Sequence, residues 1–245
     1  MIVCNFISMN PQSDVIKLTD YIRTVLDLKS AKFGKEDSYA SLPLCVIDAV
    51  FSIGVHYDRH TKPTVLRWCK FTNWQPYDFS VNNVHTINDL ISSIKPYEER
   101  GDGFKTLATD VFKNSQRTSS RSGILKAEAV YRFAVVLSRF GIQTLDDTKN
   151  GIKNDSEVEL EIKKIPGQKS GISYKYFCML AGSENLVKAD RMLCRFASNA
   201  VGRVLMSDET ERLVINACKR LNENGFPEMN PRFLDNTIWN YQRSH

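Results

Sequence analysis

The chain has 245 residues, 42% hydrophobic and 25% charged, with 33 Lys and Arg against 28 Asp and Glu for a formal net charge of +5. This is the composition of a folded globular protein, not of a disordered or fibrous one, and the length allows one large domain or two lobes. No window reaches the ~18 consecutive apolar residues of a membrane span, and the start Met1-Ile2-Val3-Cys4-Asn5-Phe6 lacks the basic region and long apolar core of a signal peptide, so a cytoplasmic protein away from membranes is expected. The six cysteines, Cys4, Cys45, Cys69, Cys178, Cys194 and Cys218, are scattered without C-x-x-C spacing and read as reduced core thiols, with neither a disulfide framework nor a metal site. The mild positive charge suits a protein that touches a few phosphates, and equally suits enzymes that never meet nucleic acid.

In chain order, apolar residues recur at steps of three and four: Val15, Leu18, Tyr21, Ile22 and Val25; Ile47, Val50 and Phe51; Phe104, Leu107, Val111 and Phe112; Val130, Phe133, Ala134 and Leu137; Leu213, Ala217 and Leu221; Leu234, Ile238 and Tyr241. That period predicts an all-α fold. Ser13-Asp14, Thr86, Ser122, Ser207-Asp208-Glu209 and Asn230-Pro231 stand ahead of these runs as caps or first-turn residues. Gly141, Gly182 and Gly225-Phe226-Pro227 stand behind them as stops. Segments 73–83, 95–103, 114–121 and 146–156 are polar, rich in turn residues and expected to be the least regular.

Ile165-Pro166-Gly167-Gln168-Lys169-Ser170-Gly171 places a Pro-Gly turn between two helical patterns, and a helix beginning there leaves its first N–H groups open to a phosphate. Asp190 lies 190 − 167 = 23 positions after the turn glycine, room for one helix of about a dozen residues and a short loop. Its bland role is a helix N-cap over Arg191-Met192-Leu193, and one carboxylate can serve as cap and functional group together. Lys163, Lys164, Lys169, Lys175, Lys188, Arg191 and Arg195 crowd this part of the sequence, although any one of them alone reads equally well as a solvated helix face.

The stretch 165–171, followed by Val187-Lys188-Ala189-Asp190-Arg191, resembles the hairpin and catalytic-aspartate segment of the helix-hairpin-helix (HhH-GPD) DNA glycosylase superfamily, endonuclease III-like members included. Leu42-Pro43-Leu44-Cys45-Val46-Ile47-Asp48-Ala49-Val50-Phe51-Ser52 resembles that family's first barrel helix, and Ser122-Gly123-Ile124-Leu125-Lys126-Ala127 its Lys-Ala segment, so the likeness covers roughly residues 40 to 200 in order. It implies two helical lobes with the motif at the cleft between them: residues 40–189 as a helical barrel lobe ending in the helix-hairpin-helix at about 157–181, and 1–39 with 190–245 as a second lobe. It also implies double-stranded DNA as partner, a monomer, and no cofactor beyond a monovalent cation at the hairpin. Where the family usually has a second hairpin glycine this chain has Lys169, and where bifunctional members carry the Schiff-base lysine it has Gly171, so strand cleavage is not expected. Lys169 and Lys175 are the amines nearest in sequence, and no four clustered cysteines exist for an iron–sulfur centre.

The resemblance thus implies a monofunctional DNA glycosylase that flips a damaged or modified base, excises it and leaves an abasic site, in base repair or in defence against modified phage DNA. Breaking an N-glycosidic bond builds positive charge on the sugar, and Asp190 is the carboxylate placed to stabilise it and to orient water. Gly167, Gln168, Lys169, Ser170 and Gly171, with Arg117, Arg121 and Lys126, are the expected DNA contacts. His56 and Tyr57 after the first barrel helix, and Asp235 and Trp239 near the C-terminus, are the candidates for base pocket or wedge; an ordinary helix end and an aromatic core stripe are the competing roles. The alternative is a non-catalytic helix-hairpin-helix DNA-binding protein, and beyond it an unrelated helical scaffold in which Pro166-Gly167 is a plain turn.

Overall fold

A computed structural model describes residues 11–34, 38–80, 84–153 and 155–244, so Cys4 and the opening hexapeptide lie outside the described residues. It is all-helical there: α1 Pro11–Val25, α2 Leu42–Phe51, α3 Lys62–Thr72, α4 Ile87–Glu98, α5 Lys126–Arg139, α6 Asp155–Lys163, α7 Ile172–Leu180, α8 Arg191–Val201, α9 Ser207–Glu223 and α10 Pro231–Ser244. Short π-type turns occupy Tyr57–Thr61 and Leu107–Val111, and a 3-10 turn Leu145–Thr148. Among the described residues no helix is long and apolar enough to cross a membrane.

The chain divides into two units, Gly34–Ser183 and the two ends Met1–Phe33 with Glu184–His245. In the first, α2 is the central post. All ten of its residues are buried, and α3, α4, α5 and α7 pack around it. A helix apolar on every side has no solvent face to offer, so the sequence LPLCVIDAVF dictates that position. An aromatic cluster closes one end, with Phe112 between Phe51 (ring centroids 5.0 Å) and Trp68 (5.3 Å).

The second unit packs α1, α8, α9 and α10 around Leu18, Ile22, Phe196, Leu213, Val214, Leu221, Leu234 and Ile238. Arg203 joins its two chain ends by gripping Asp14 of α1 (2.6 Å) and Glu209 of α9 (2.5 Å).

Helix α1 begins at Pro11 with Asp14 in its first turn, as expected, where Asp14 also accepts from Arg203. One helix start differs from the sequence expectation. Helix α5 begins at Lys126 and not near Ser122, because residues 116–126 fold into an antiparallel pairing in which Thr118 N donates to Ile124 O (2.9 Å) and Lys126 N to Gln116 O (2.8 Å). Segment 95–103 is partly helical, since α4 carries Pro96 and runs to Glu98.

Candidate nucleic-acid interface and carboxylate site

Helix α6 ends at Lys163 and the chain turns twice before α7: Gln168 N donates to Ile165 O (2.9 Å) and Gly171 N to Gln168 O (3.0 Å). Gly167 has φ +82°, and a Cβ there would stand 2.3 Å from Thr118 Oγ1, so this position excludes side chains twice over. The approach is close because Thr118 Oγ1 donates to Pro166 O (2.8 Å), stitching the 116–126 loop to the hairpin. At the tip Lys169 and Ser170 are exposed, and Gly171, at φ +72°, leads into α7, whose first N–H groups lack intrahelical acceptors. The tip therefore presents one cation and one hydroxyl to solvent, and Ile172 N at the start of α7 donates to that hydroxyl oxygen at 3.5 Å.

Two residues expected to touch DNA turn inward. Gln168 is 4% exposed, and the Ser173 hydroxyl donates to its Oε1, which fastens the turn to the first residues of α7. Lys126 is 2% exposed, with Nζ donating to Phe51 O (2.9 Å) and Ile53 O (2.9 Å) where α2 ends. An ammonium on the last carbonyls of a helix satisfies open acceptors and meets the negative end of its dipole, so Lys126 is a helix cap and not a phosphate ligand. Arg117 is exposed but folds onto its own loop, Nε donating to Gly123 O (2.9 Å); Arg121 is exposed at the tip of that loop. The amine that approaches Gly171 is neither Lys169 nor Lys175: a Cβ on Gly171 would lie 3.3 Å from Lys163 Nζ, which is held by Glu159 at 2.6 Å.

In the other unit Asp190 is the N-cap of α8. Its Oδ1 accepts from Met192 N (2.8 Å) and Leu193 N (3.2 Å), while Oδ2 takes part in neither bond and the side chain is half-buried. Asp235, buried on α10, accepts from Lys188 N on Oδ2 at 2.6 Å, and the Lys188 carbonyl accepts from Asp190 N at 2.6 Å. Burial, with the charge of Asp190 adding to it, pushes the Asp235 carboxyl up to about 8. Asp235 is thereby tied to backbone. Trp239 is half-buried against the core of its unit, with the Arg243 guanidinium 5.1 Å over its ring, which makes it the edge of an aromatic core stripe.

His56 is exposed and precedes the π-type turn that Tyr57 opens. The Tyr57 hydroxyl points inward: it donates to Asp48 Oδ2 (2.8 Å), as does the Tyr39 hydroxyl (2.7 Å), and the Tyr39 ring stacks on Tyr77 (5.9 Å). Burial first and the Asp48 charge second raise both phenols well above their ordinary value, so both remain proton donors. Asp48 was not among the expected site residues. Its signal was present, a single carboxylate in a ten-residue apolar helix and 0% exposed, which needs donors from elsewhere in the fold.

These features define an all-α protein with a Pro-Gly hairpin in one unit and a capped, half-buried carboxylate in the other. The chain belongs to the family DUF8548, a domain of unknown function, whose model matches residues 16–243. A search of curated proteins and of solved structures gives no match.

Proposed function

We propose that this protein is a monofunctional DNA glycosylase, working as a monomer on double-stranded DNA in the cytoplasm, that excises a damaged or modified base and leaves an abasic site. The observation that carries the reading is Asp190: a carboxylate held by two N–H donors on one oxygen, with its other oxygen outside those bonds, 23 residues after the hairpin glycine (190 − 167). Support also comes from the hairpin tip, where Lys169, Ser170 and the start of α7 offer donors to a phosphate.

In the reaction, water adds at C1′ and the C1′–N bond breaks with its electron pair leaving on the base, which takes up a proton. Asp190 stabilises the cationic sugar and accepts or directs the proton that water gives up. Gly171 supplies no amine for a Schiff base, so the product is an intact strand with an abasic site. Loops and helix ends set which base is taken, and the substrates to test are uracil and thymine mismatches, alkylated purines and bulky modified cytosines.

The test is incubation with duplexes carrying each of these bases, followed by alkali to cut at abasic sites. One substrate class is expected to give alkali-dependent breaks, and Asp190→Asn to lose them while binding DNA as before. Binding without breaks from any substrate would instead favour a non-catalytic helix-hairpin-helix binder, and breaks without alkali would contradict the monofunctional assignment.

A further inference from the structure

Asp235 is a second carboxyl beside the proposed catalytic one, and it reaches Asp190 through a single residue of backbone. Its Oδ2 accepts from Lys188 N (2.6 Å), Lys188 O accepts from Asp190 N (2.6 Å), and Asp190 Oδ1 accepts from Met192 N and Leu193 N (2.8 and 3.2 Å). The chain of bonds runs unbroken from α10 to the first turn of α8. Resting on the glycosylase reading of Asp190, we infer that Asp235 is its positioning residue: a hydrogen-bond acceptor that clamps the Lys188–Asp190 turn and so fixes where the Asp190 carboxylate points.

The surroundings favour the neutral form. Among the described residues, burial raises the affinity of Asp235 for its proton most, the Lys188 N–H bond lowers it and the charge of Asp190 raises it again, for a net push up to about 8. Arg195 on α8 is spent on Gln242, to whose Oε1 its Nε donates at 2.6 Å. The buried residues of α9 include one titratable group, Cys218, whose thiol burial pushes up to about 11. A buried acid that only had to fill space would be better replaced by an apolar residue, since desolvating a carboxyl costs stability. A carboxyl at this place supplies the acceptor for Lys188 N that an apolar side chain lacks.

The test compares Asp235→Leu with Asp235→Asn in the full chain. Asp235→Leu keeps the branching at Cγ and removes the acceptor; Asp235→Asn keeps an acceptor oxygen and cannot ionise. Misplacing a reacting group by about 1 Å costs on the order of 100-fold. Asp235→Leu is therefore expected to lower kcat by about 100-fold with DNA affinity unchanged, and Asp235→Asn to recover most of that loss. Amide exchange of the protein without DNA gives an independent arm: Lys188, Asp190, Met192 and Leu193 are expected to exchange faster together in Asp235→Leu and not in Asp235→Asn. Equal kcat in Asp235→Leu and the original protein, a rate that merely follows stability, or faster exchange confined to Lys188 would each overturn the inference. If the original protein releases no base at all, the glycosylase reading fails, while the exchange pattern still decides whether the clamp exists.

Discussion

A buried carboxyl with a raised pKa leaves a signature in stability, and at Asp235 its sign is fixed. The ordinary Asp value is 3.8 and the folded value about 8, so between these pH values the folded chain keeps a proton that the unfolded chain has lost. The stability tied to this proton is fully present below pH ~4 and declines as pH rises to about 8, by at most about 1.4 kcal/mol per pH unit. Urea unfolding from pH 4 to 9 is expected to show Asp235→Asn gaining on the original protein up to about pH 8 and holding a constant lead beyond it; parallel curves would refute the burial of this proton. Lys126 gives a second residue-scale test. Lys126→Met retains the stem and removes the donor that serves Phe51 O and Ile53 O, for an expected loss of about 2–3 kcal/mol. The salt dependence of DNA binding should not change, whereas a phosphate-contacting lysine would reduce it by about one ion's worth. Asp190 was legible in the sequence as a cap because a cap is a local device, defined by the three residues after it. Lys126 was not, since its acceptors lie 75 and 73 positions away and a lysine in a sequence carries no mark of the carbonyls it reaches.

At the scale of elements, local chemistry was readable wherever the element closes on itself. Thr86 forms its capping box with Asp89, Asn230 accepts from Phe233 N at 2.8 Å, and Gly225 follows the end of α9. Helix α3 gave no clear period, because Leu66 and Phe71 stay exposed while Val65, Trp68 and Cys69 are buried, which spreads apolar residues around the helix. The hairpin was legible as a turn, but its attachment to residues 116–126 was not: nothing in the order of residues announces that Thr118 will meet Pro166. Gly167→Ala tests that attachment. It forces a side chain into φ +82° and drives its Cβ to within 2.3 Å of Thr118 Oγ1, for an expected loss of about 2–3 kcal/mol and weaker DNA binding. Thr118→Ala removes the bond to Pro166 O and leaves its own Cβ 2.5 Å from the one added at Gly167, and Gly167→Ala forces the same bond open, so the double variant should lose less than the two single losses added together. Strict additivity in a double-mutant cycle would mean that the two positions do not meet.

The whole molecule poses a question of chain order. Gly34–Ser183 is continuous and contains the central helix α2 and the hairpin, while the other unit is assembled from both ends and contains Asp190. Helical content was legible because period is a local property; periodicity alone does not say which helices share a core, since contacts such as that of Arg203 with Asp14 span 189 positions and depend on side chains no window compares. The partition predicts two deletions with opposite outcomes. A fragment of residues 34–183 keeps every helix that packs around α2, and is expected to unfold cooperatively and to bind DNA with a salt slope close to that of the full chain, yet to release no base, because the carboxylate is absent. Removing residues 1–33 strips α1 from α8 and α9, uncovers the apolar surface that met Leu18 and Ile22, and withdraws Asp14 from Arg203. Fully burying an aliphatic side chain contributes about 1.5–3 kcal/mol, so the loss of these two alone is on the order of a typical domain's margin of stability, and the unit that holds Asp190 should lose its protection from amide exchange. If instead the 34–183 fragment released base, the reaction would lie wholly within that unit and Asp190 could not be its carboxylate; the buried Asp48 with Tyr39 and Tyr57 would then be the group to examine.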